Sequence, residues 1–327
     1  MRVVLPHLQQ RTLAFVFCVF LFAPMLLRAQ SADAGPATLV STPPKAESEL
    51  FLHVRRPPIP QPAPIMEEAA SGTVPFRLYC GYLIVAPGFA GPLKNLSFLL
   101  DTGTSVPVLD SGVAKELHLA VETPANIVIL GGRARGFESL LPTLSFGPVQ
   151  RSNLPVIVTD LSFFRRILPV RIDAVVGLDV VGQQPFVIDY SAQVIRFGPP
   201  PSLPFSIPLR LDRGLVTFDA EIDHARVHLA FDTGVASLVL FDPASKPAYS
   251  AEGDAVQEPQ NVGKFPNRAT RLRTVIIGDE DFHQKAAILV SNPKPSQLDF
   301  DGLMSPPALG LSKVSVDLKG GVLAFGR

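Results

Sequence analysis

The tripeptide Asp-Thr-Gly occurs twice in this chain of 327 residues, at 101–103 and at 232–234. Each copy directly follows an apolar run, at residues 98–100 in the first case and 229–231 in the second. A carboxylate at the end of a buried strand is costly unless other groups hold it. Two acids in the same context therefore indicate a pair that is built from two copies of one structural unit.

The duplication extends well beyond the tripeptides, because further landmarks recur in the same order at nearly constant spacing. The two aspartates lie 131 residues apart, as do the pairs Phe146-Gly147 and Ile277-Gly278. Residues 173–177 recur as residues 301–305, with an offset of 128. The other recurring segments are 75–76 with 204–205, and 194–198 with 322–326. A single Asp-Thr-Gly would indicate no more than a turn, whereas this set predicts two related halves.

Two carboxylates that are held close together cannot both ionise easily, so they share one proton. Such a pair can bind a water, remove a proton from it with the ionised carboxylate, and donate to a peptide carbonyl with the protonated carboxyl. Which of Asp101 and Asp232 holds the proton is a property of the pair. Because the acids themselves activate the water, this chemistry predicts no metal and no other cofactor.

The pattern resembles the pepsin and retropepsin superfamily of aspartic proteases over roughly residues 73–327. The resemblance implies an all-β, bilobal acid-protease fold, in which two related β-barrel-like lobes have the active-site cleft between them. It also implies that Asp101 and Asp232 are the catalytic residues, and that the threonines of the tripeptides tie the two loops together. The residues that would support this dyad are Thr102, Gly103, Thr104, Thr233 and Gly234.

In that superfamily a hydrophobic-hydrophobic-Gly motif packs beneath each aspartate. Gly177 completes this packing motif in the first half, but Ser305 stands where the second half should carry glycine, and we expect looser backbone packing there. Val235 likewise replaces the hydroxyl residue that often follows the second tripeptide, whereas Thr104 retains it, so the dyad should be electrostatically unequal. Asp173 and Asp301, which precede the two motifs, are predicted to serve turns.

Residues 129–137 resemble the glycine-rich flap of retropepsins, which closes over substrate. The predicted flap residues are Gly131, Gly132, Gly136 and Phe137. The equivalent part of the second half, at residues 262–264, has one glycine only, so we expect a flap on the first lobe alone. We also expect residues 242–270, which are polar and proline-rich, to lie outside the second barrel.

Short apolar runs that are separated by Gly, Pro, Asn and Asp predict strands. The clearest predicted strands are residues 76–85, 96–100, 140–146, 154–158, 186–188 and 194–197. Short helices are predicted at residues 110–117 and after Pro307. The strand-like surroundings of Cys80, the one cysteine after residue 30, predict that it lies in the core.

The N-terminal segment predicts export. Residues 1–30 combine Arg2 and Arg11 with an apolar run and small residues near position 30, as in a secretory signal peptide. The alternative is an uncleaved membrane tether, although the apolar run of about 16 residues is short of the roughly 20 that a spanning helix needs. We therefore expect an exported protein in the periplasm, the cell envelope or the extracellular space.

The remaining chain divides into a linker and two lobes. Residues 31–72 carry eight prolines, which predicts an extended spacer, with a pro-segment over the cleft as the alternative. The N-terminal lobe would then span residues 73–200 and the C-terminal lobe residues 201–327, joined by a proline-rich hinge at 199–204. Since one chain supplies both halves of the site, we expect a monomer with an intramolecular dyad.

Composition argues against several other functions. The formal net charge is zero, so nothing in the sequence favours nucleic acid as a partner. His224 and His228 lie four residues apart without a third ligand, so they predict no metal site.

The interpretation is an aspartic endopeptidase that acts on peptide or protein substrates. A catalytically inactive peptide-binding module on the same fold is the alternative, and a surface scaffold would rest on residues 31–72 alone.

Overall fold

The computed structural model describes residues 13–15, 71–121, 123–129, 132–241, 260–262, 265–290 and 299–327. All of them belong to one compact unit, which comprises Leu13–Leu21 and Glu67–Arg327. The predicted linker at residues 31–72 lies almost entirely outside the described residues, so its role stays a prediction. In the described part of the chain, no helix has both the length and the apolar character needed to cross a membrane.

The part of the chain before the hinge is built mainly from strands. They are β1 (Leu13–Phe15), β2 (Gly72–Tyr79), β3 (Tyr82–Ala90), β4 (Leu93–Leu100), β5 (Val108–Asp110), β6 (Thr123–Ile129), β7 (Gly132–Phe146), β8 (Val149–Thr159), β9 (Ala174–Val176), β10 (Phe186–Asp189) and β11 (Val194–Phe197). The helical elements are α1 (Ser111–Glu116), a 3₁₀ turn (Ser162–Arg166) and α2 (Leu178–Val181). The helix predicted at residues 110–117 is confirmed, with Asp110 as its N-cap.

The part after the hinge repeats this plan. Its strands are β12 (Phe205–Pro208), β13 (Arg210–Asp212), β14 (Leu215–Ile222), β15 (Ala225–Phe231), β16 (Leu238–Phe241), β17 (Gln260–Val262), β18 (Phe265–Ile277), β19 (Glu280–Val290), β20 (Gly302–Met304), β21 (Lys313–Asp317) and β22 (Val322–Gly326). One short helix, α3 (Pro306–Leu309), occupies the place that α2 has in the first lobe. The fold is thus all-β and bilobal, as the sequence predicts.

Both lobes build the same strand arrangement around the segment that leads to each aspartate. In the first lobe β4 lies parallel to β9, and β5 lies antiparallel to the other edge of β9. In the second lobe β15, β20 and β16 repeat these pairings. The N–H of Asp101 then donates to Val176 O at 2.9 Å, and that of Asp232 to Met304 O at 3.0 Å. Each aspartate therefore follows three buried residues at the end of its strand, with its backbone N–H fixed.

A continuous sheet joins the two lobes. Six neighbouring strands of the large sheet follow the order β2-β11-β10-β21-β22-β12, in which three strands of the first lobe meet their three counterparts. The central pair, β10 and β21, is antiparallel, and Phe186 lies opposite Val316. The strand order is therefore symmetric about the β10–β21 pair. Segments that recur 128 residues apart in the sequence form equivalent strands on the two sides of this pair.

Asp189 ties the lobes together at this junction. Its buried carboxylate accepts hydrogen bonds from Arg196 and from the backbone N–H of Ala192, each at 2.9 Å. Lys313 of the second lobe lies 3.4 Å away. Burial alone would raise the pKa of Asp189, but these hydrogen bonds and cations more than offset it and hold the pKa well below its usual range. The charge therefore remains available for the inter-lobe contact in acid.

One predicted strand is a hairpin. Residues 76–85 are divided between β2 and β3 by a two-residue turn in which Cys80 and Gly81 have φ of 52° and 87°. Positive φ at both positions is the type I′ geometry that hairpins favour, and glycine at the second position makes it accessible. The prediction that Cys80 lies in the core is therefore wrong, because the turn exposes it. Arg213 and Gly214 form the same turn in the second lobe.

The prediction for residues 242–270 is wrong in its last part. Residues 260–262 form β17, which pairs with the beginning of β18, and β18 continues along β19. These residues are therefore part of the second sheet. β18 is the partner of β17, and β19 pairs with β18 from residue 267 onward, so these contacts cannot be inferred from the polar composition of the segment itself. Residues 242–259 lie outside the described residues.

Candidate active site

The two Asp-Thr-Gly loops are bound to each other through their threonines. Thr102 Oγ1 donates to Phe231 O at 3.0 Å, and Thr233 Oγ1 donates to Leu100 O at 2.9 Å. Each hydroxyl oxygen also accepts the backbone N–H of the opposite threonine, at 3.0 Å in both directions. Both side chains are buried. These four reciprocal hydrogen bonds hold the ends of β4 and β15 side by side.

The two carboxyl groups occupy one buried site. Oδ1 of Asp101 accepts the N–H of Gly103 at 2.8 Å, and Oδ1 of Asp232 accepts that of Gly234 at 2.7 Å. A methyl group placed on Gly103 would lie 2.5 Å from Asp232 Oδ2, and one placed on Gly234 would lie 2.3 Å from Asp101 Cγ. Each glycine therefore backs directly against the carboxyl of the other lobe, which no residue with a side chain could do.

The two carboxyl groups interact electrostatically. Burial raises the pKa of Asp232 well above its usual range, and the neighbouring charge of Asp101 raises it further. A hydrogen bond with Asp101 also raises this pKa, whereas the backbone N–H groups of Gly234 and Gly103 lower it in part. The arrangement therefore favours a pair that holds one proton between its two carboxyl groups.

Tyr190 is a neighbour of the dyad that the sequence analysis missed. Burial raises the pKa of its phenol, and the charge of Asp232 raises it further, so the ring lies within electrostatic reach of the dyad. The ring also packs edge-on against Phe76, with centroids 6.0 Å apart. Its counterpart in the repeat is Leu318. The sequence offered a signal for Tyr190, because the two matched positions carry a tyrosine with a polar hydroxyl in the first lobe and an apolar leucine in the second.

Asp173 and Asp301 hold the strands that lead to Asp101 and Asp232 rather than serving only turns. Oδ2 of Asp173 accepts the N–H of Ser97 at 2.9 Å, and Oδ2 of Asp301 accepts that of His228 at 3.0 Å. Ser97 and His228 each lie four residues before the aspartate of their tripeptide. Arg171 balances the first carboxylate, with Nε 2.7 Å from Asp173 Oδ1. In both lobes, therefore, a carboxylate holds the strand that leads to the Asp-Thr-Gly loop by accepting one of its backbone N–H groups.

The two packing positions differ in backbone conformation. Gly177 has φ −110° and ψ −163°, and a methyl group there would lie 2.1 Å from Thr104 O. Ser305 has φ −92° and ψ 127°. The backbone at Ser305 therefore differs from that at Gly177 mainly in ψ. The serine is fully buried.

The predicted flap segment is a β-hairpin. β6 and β7 pair antiparallel up to Ile129 opposite Gly132, whereas Gly131 lies outside the described residues. In the second lobe β17 and β18 form the equivalent hairpin, up to Val262 opposite Phe265. A hairpin therefore occurs at this position in both lobes, and the expectation of a flap on the first lobe alone stays a prediction. Strand pairing with β19 extends the second hairpin without a cluster of glycines.

The other two flap residues lie farther down this hairpin. A methyl group on Gly136 would lie 2.6 Å from Cγ2 of Ile157 and 2.9 Å from Val158 O, so this glycine permits close packing against β8. Phe137 points to the other face, as alternation along a strand requires, and is 47% exposed. Closure of the hairpin over a substrate stays a prediction.

The described residues contain no group of three or more His, Cys, Asp or Glu side chains placed to hold a metal ion. His228 instead contacts Asp219 through Nδ1 at 2.8 Å, and His224 is exposed.

One comparison with known proteins identifies a related family. Residues 89–180 match the family model described as aspartyl protease. The matched stretch includes Asp101, Gly177 and the β6–β7 hairpin, and it ends before the second Asp-Thr-Gly. No curated protein matches the chain. The match relates the first lobe to aspartyl proteases, and the second lobe repeats the same architecture around Asp232.

Proposed function

We propose that this chain is an aspartic-type endopeptidase, in which Asp101 and Asp232 jointly activate a water to hydrolyse a peptide bond. The observation that carries the proposal is that each tripeptide glycine lies against the carboxyl of the opposite lobe, so that the two buried acids share one site. The aspartyl protease match over residues 89–180 supports the class of chemistry. The raised pKa of Asp232 supports a dyad that holds one proton.

In the proposed reaction, the ionised carboxylate of Asp101 takes a proton from the water as the water oxygen attacks the peptide carbonyl carbon. The protonated Asp232 donates its proton to the carbonyl oxygen, and a neutral gem-diol forms. Asp101 then gives its proton to the peptide nitrogen, while Asp232 takes one back from a diol hydroxyl. The C–N bond breaks, a carboxylic acid and an amine leave, and the dyad returns to its starting state.

Cleavage of a mixed peptide library tests this proposal. We expect hydrolysis at internal bonds between about pH 3 and pH 8, with a bell-shaped profile, because activity needs exactly one proton on the pair. A pepstatin-type inhibitor should suppress the cleavage. Cleavage that is insensitive to this inhibitor would contradict the Asp101–Asp232 mechanism.

The second candidate function is a catalytically inactive peptide-binding module. Val235 and Ser305, both buried at the second loop, are the departures that favour it. Binding of a transition-state analogue without any turnover of the library would support this candidate over the enzyme.

We also propose that the dyad is assembled within one chain. The inter-lobe sheet and the reciprocal threonine bonds join two halves of the same polypeptide, so association of the halves does not depend on concentration. Activity per molecule should therefore stay constant on dilution into the nanomolar range. A steep loss of specific activity, together with a dimer-to-monomer shift in ultracentrifugation, would show that two chains are needed.

Export is part of the proposal as well. The basic start and apolar run of residues 1–30 support a cleaved signal peptide, and residues 31–72 would act as a spacer or pro-segment ahead of the protease lobes. N-terminal sequencing of the protein recovered from an exporting host would distinguish cleavage near residue 30 from removal of residues 31–72 and from an intact membrane tether.

A further inference from the structure

The two type I′ turns each reach across to the other lobe. Gly81 and Gly214 hold the second position of these turns, with φ of 87° and 86°. A methyl group placed on Gly81 would lie 2.7 Å from Cβ of Ala236, and one placed on Gly214 would lie 3.6 Å from Cβ of Ser105. Ala236 and Ser105 each lie two residues after the glycine of an Asp-Thr-Gly tripeptide. Each turn therefore lies beside the loop that carries the aspartate of the opposite lobe.

The two turns differ in how closely they approach these loops. Gly81 is half-buried, whereas Gly214 is exposed. The methyl group on Gly81 would also lie 3.2 Å from Cα of Ala236, while the one on Gly214 would lie 3.9 Å from Cα of Ser105. Because carbon atoms pack best at about 3.5–4.0 Å, a side chain fits at Gly214 but not at Gly81. The turn of the first lobe thus packs directly on the loop of the second tripeptide.

The first lobe fixes this turn from its own side. Tyr82, the residue after Gly81, is buried, and its ring packs edge-on against Phe164 with centroids 6.4 Å apart. β3 begins at the turn and pairs with β4, so that Leu83 lies opposite Leu100, the last residue before the first tripeptide. The turn is therefore held in a fixed position relative to the first aspartate. Extra bulk at the turn must be accommodated by the loop of the opposite lobe.

We infer that Gly81 is a positioning residue for Asp232: its turn supports the loop at residues 232–236 through the contact with Ala236, and so fixes Asp232 relative to Asp101. This inference rests on the proposed function, since it concerns the same pair of acids. Glycine is needed at this position for two reasons. It allows the positive φ of the turn, and it leaves room for the methyl group of Ala236.

Moving one methyl group across the contact tests the inference. Gly81→Ala adds a methyl group where Cβ of Ala236 already lies, Ala236→Gly removes that Cβ, and G81A/A236G transfers the methyl group from one side to the other. We expect G81A to lower kcat about tenfold or more with little change in KM, because a displacement of roughly 1 Å can cost about 10²-fold in rate. A236G leaves the contact unfilled and should lower kcat less. The double variant should recover most of the kcat that G81A loses.

Gly214→Ala is the matched control. It places alanine at the same turn position with nearly the same φ, so it carries the same backbone strain, but its methyl group meets Ser105 at an ordinary distance. It should leave kcat near that of wild type. An equal loss of kcat in G214A and G81A, or a double variant no more active than G81A, would overturn the inference.

Stability and folding of the variants are measured alongside. If G81A loses stability but keeps its kcat, Gly81 has a packing role only, and the inference is overturned. If G81A does not fold, the comparison of A236G with the double variant decides. The double variant should then be the more active of the two, because it restores the contact, and the opposite order would overturn the inference.

Urea unfolding across pH separates this inference from the proposed function. If the wild type cleaves no peptide, the proposed function fails, but Asp232 still titrates beside Asp101. Its raised pKa makes the free energy of unfolding fall as pH rises above about 4. G81A should reduce this fall, because a displaced loop moves the two carboxyl groups apart, whereas G214A should keep it. Tyr190, the other titratable neighbour of Asp232, is unchanged in every variant. A G81A curve that falls as far as those of wild type and G214A would contradict the positioning role.

Discussion

Asp232→Asn should abolish peptide cleavage and, at the same time, make the protein more stable at neutral pH. The loss of activity follows from the dyad, because an amide cannot give up and retake the proton that the reaction moves. We expect a decrease in kcat of roughly 10³-fold or more. The fold should survive, since asparagine has nearly the same shape and its Oδ1 can still accept the N–H of Gly234.

The gain in stability follows from the raised pKa of Asp232. Burial and the charge of Asp101 raise the folded-state pKa above the value of about 3.9 that an aspartate has in an unfolded chain. Between the two values the folded protein binds more protons than the unfolded chain, so the free energy of unfolding falls as pH rises. Asparagine does not titrate, so the stability of the variant relative to wild type should increase from about pH 4 upward.

Activity assays and urea unfolding between about pH 4 and pH 8 measure both effects. Asp101→Asn should also abolish cleavage. Asp317→Asn is the control, because the carboxylate of Asp317 likewise accepts a nearby glycine N–H, from Gly320 at 2.8 Å, but lies on the surface. It should leave activity unchanged. Near wild-type turnover in either dyad variant would exclude the shared-proton mechanism.

The sequence contains the dyad in a form that can be recognised, because the chemistry depends on short local segments that occur twice. An apolar run followed by Asp-Thr-Gly specifies a buried strand, a carboxylate and a tight turn, and its recurrence predicts the second lobe. Strand β11 and helix α1 were predictable for a similar reason, since periodicity and the N-cap Asp110 act over a few residues.

Features that depend on distant partners could not be predicted in the same way. The pairing of β10 with β21 joins residues that are more than a hundred positions apart, and it alone explains why Asp189 contacts Lys313. Asp173 and Asp301 look like ordinary turn residues until the structure places them beside Ser97 and His228. Cys80 was misjudged because an apolar context does not show where a hairpin turns.

A single methyl group on Gly103 or Gly234 should disable the site. The added carbon would lie 2.5 Å from Asp232 Oδ2 in the first case and 2.3 Å from Asp101 Cγ in the second, far inside van der Waals contact. Neither carboxyl can move aside easily, because each accepts a backbone N–H and the threonine bonds fix both loops. The loops must therefore separate, which breaks the geometry that lets the two acids share a proton.

We expect Gly103→Ala and Gly234→Ala each to lower the free energy of unfolding by roughly 1–3 kcal/mol, the usual cost of overpacking a core. Activity should fall by about 10³-fold or more in both, since the dyad is displaced. Gly326→Ala is the matched control. A methyl group there would meet only Pro204, with Cδ at 3.5 Å and Cγ at 3.9 Å, so stability and activity should stay near those of wild type. If Gly103→Ala kept full activity, the two carboxyls could not lie as close across the lobes as the structure places them.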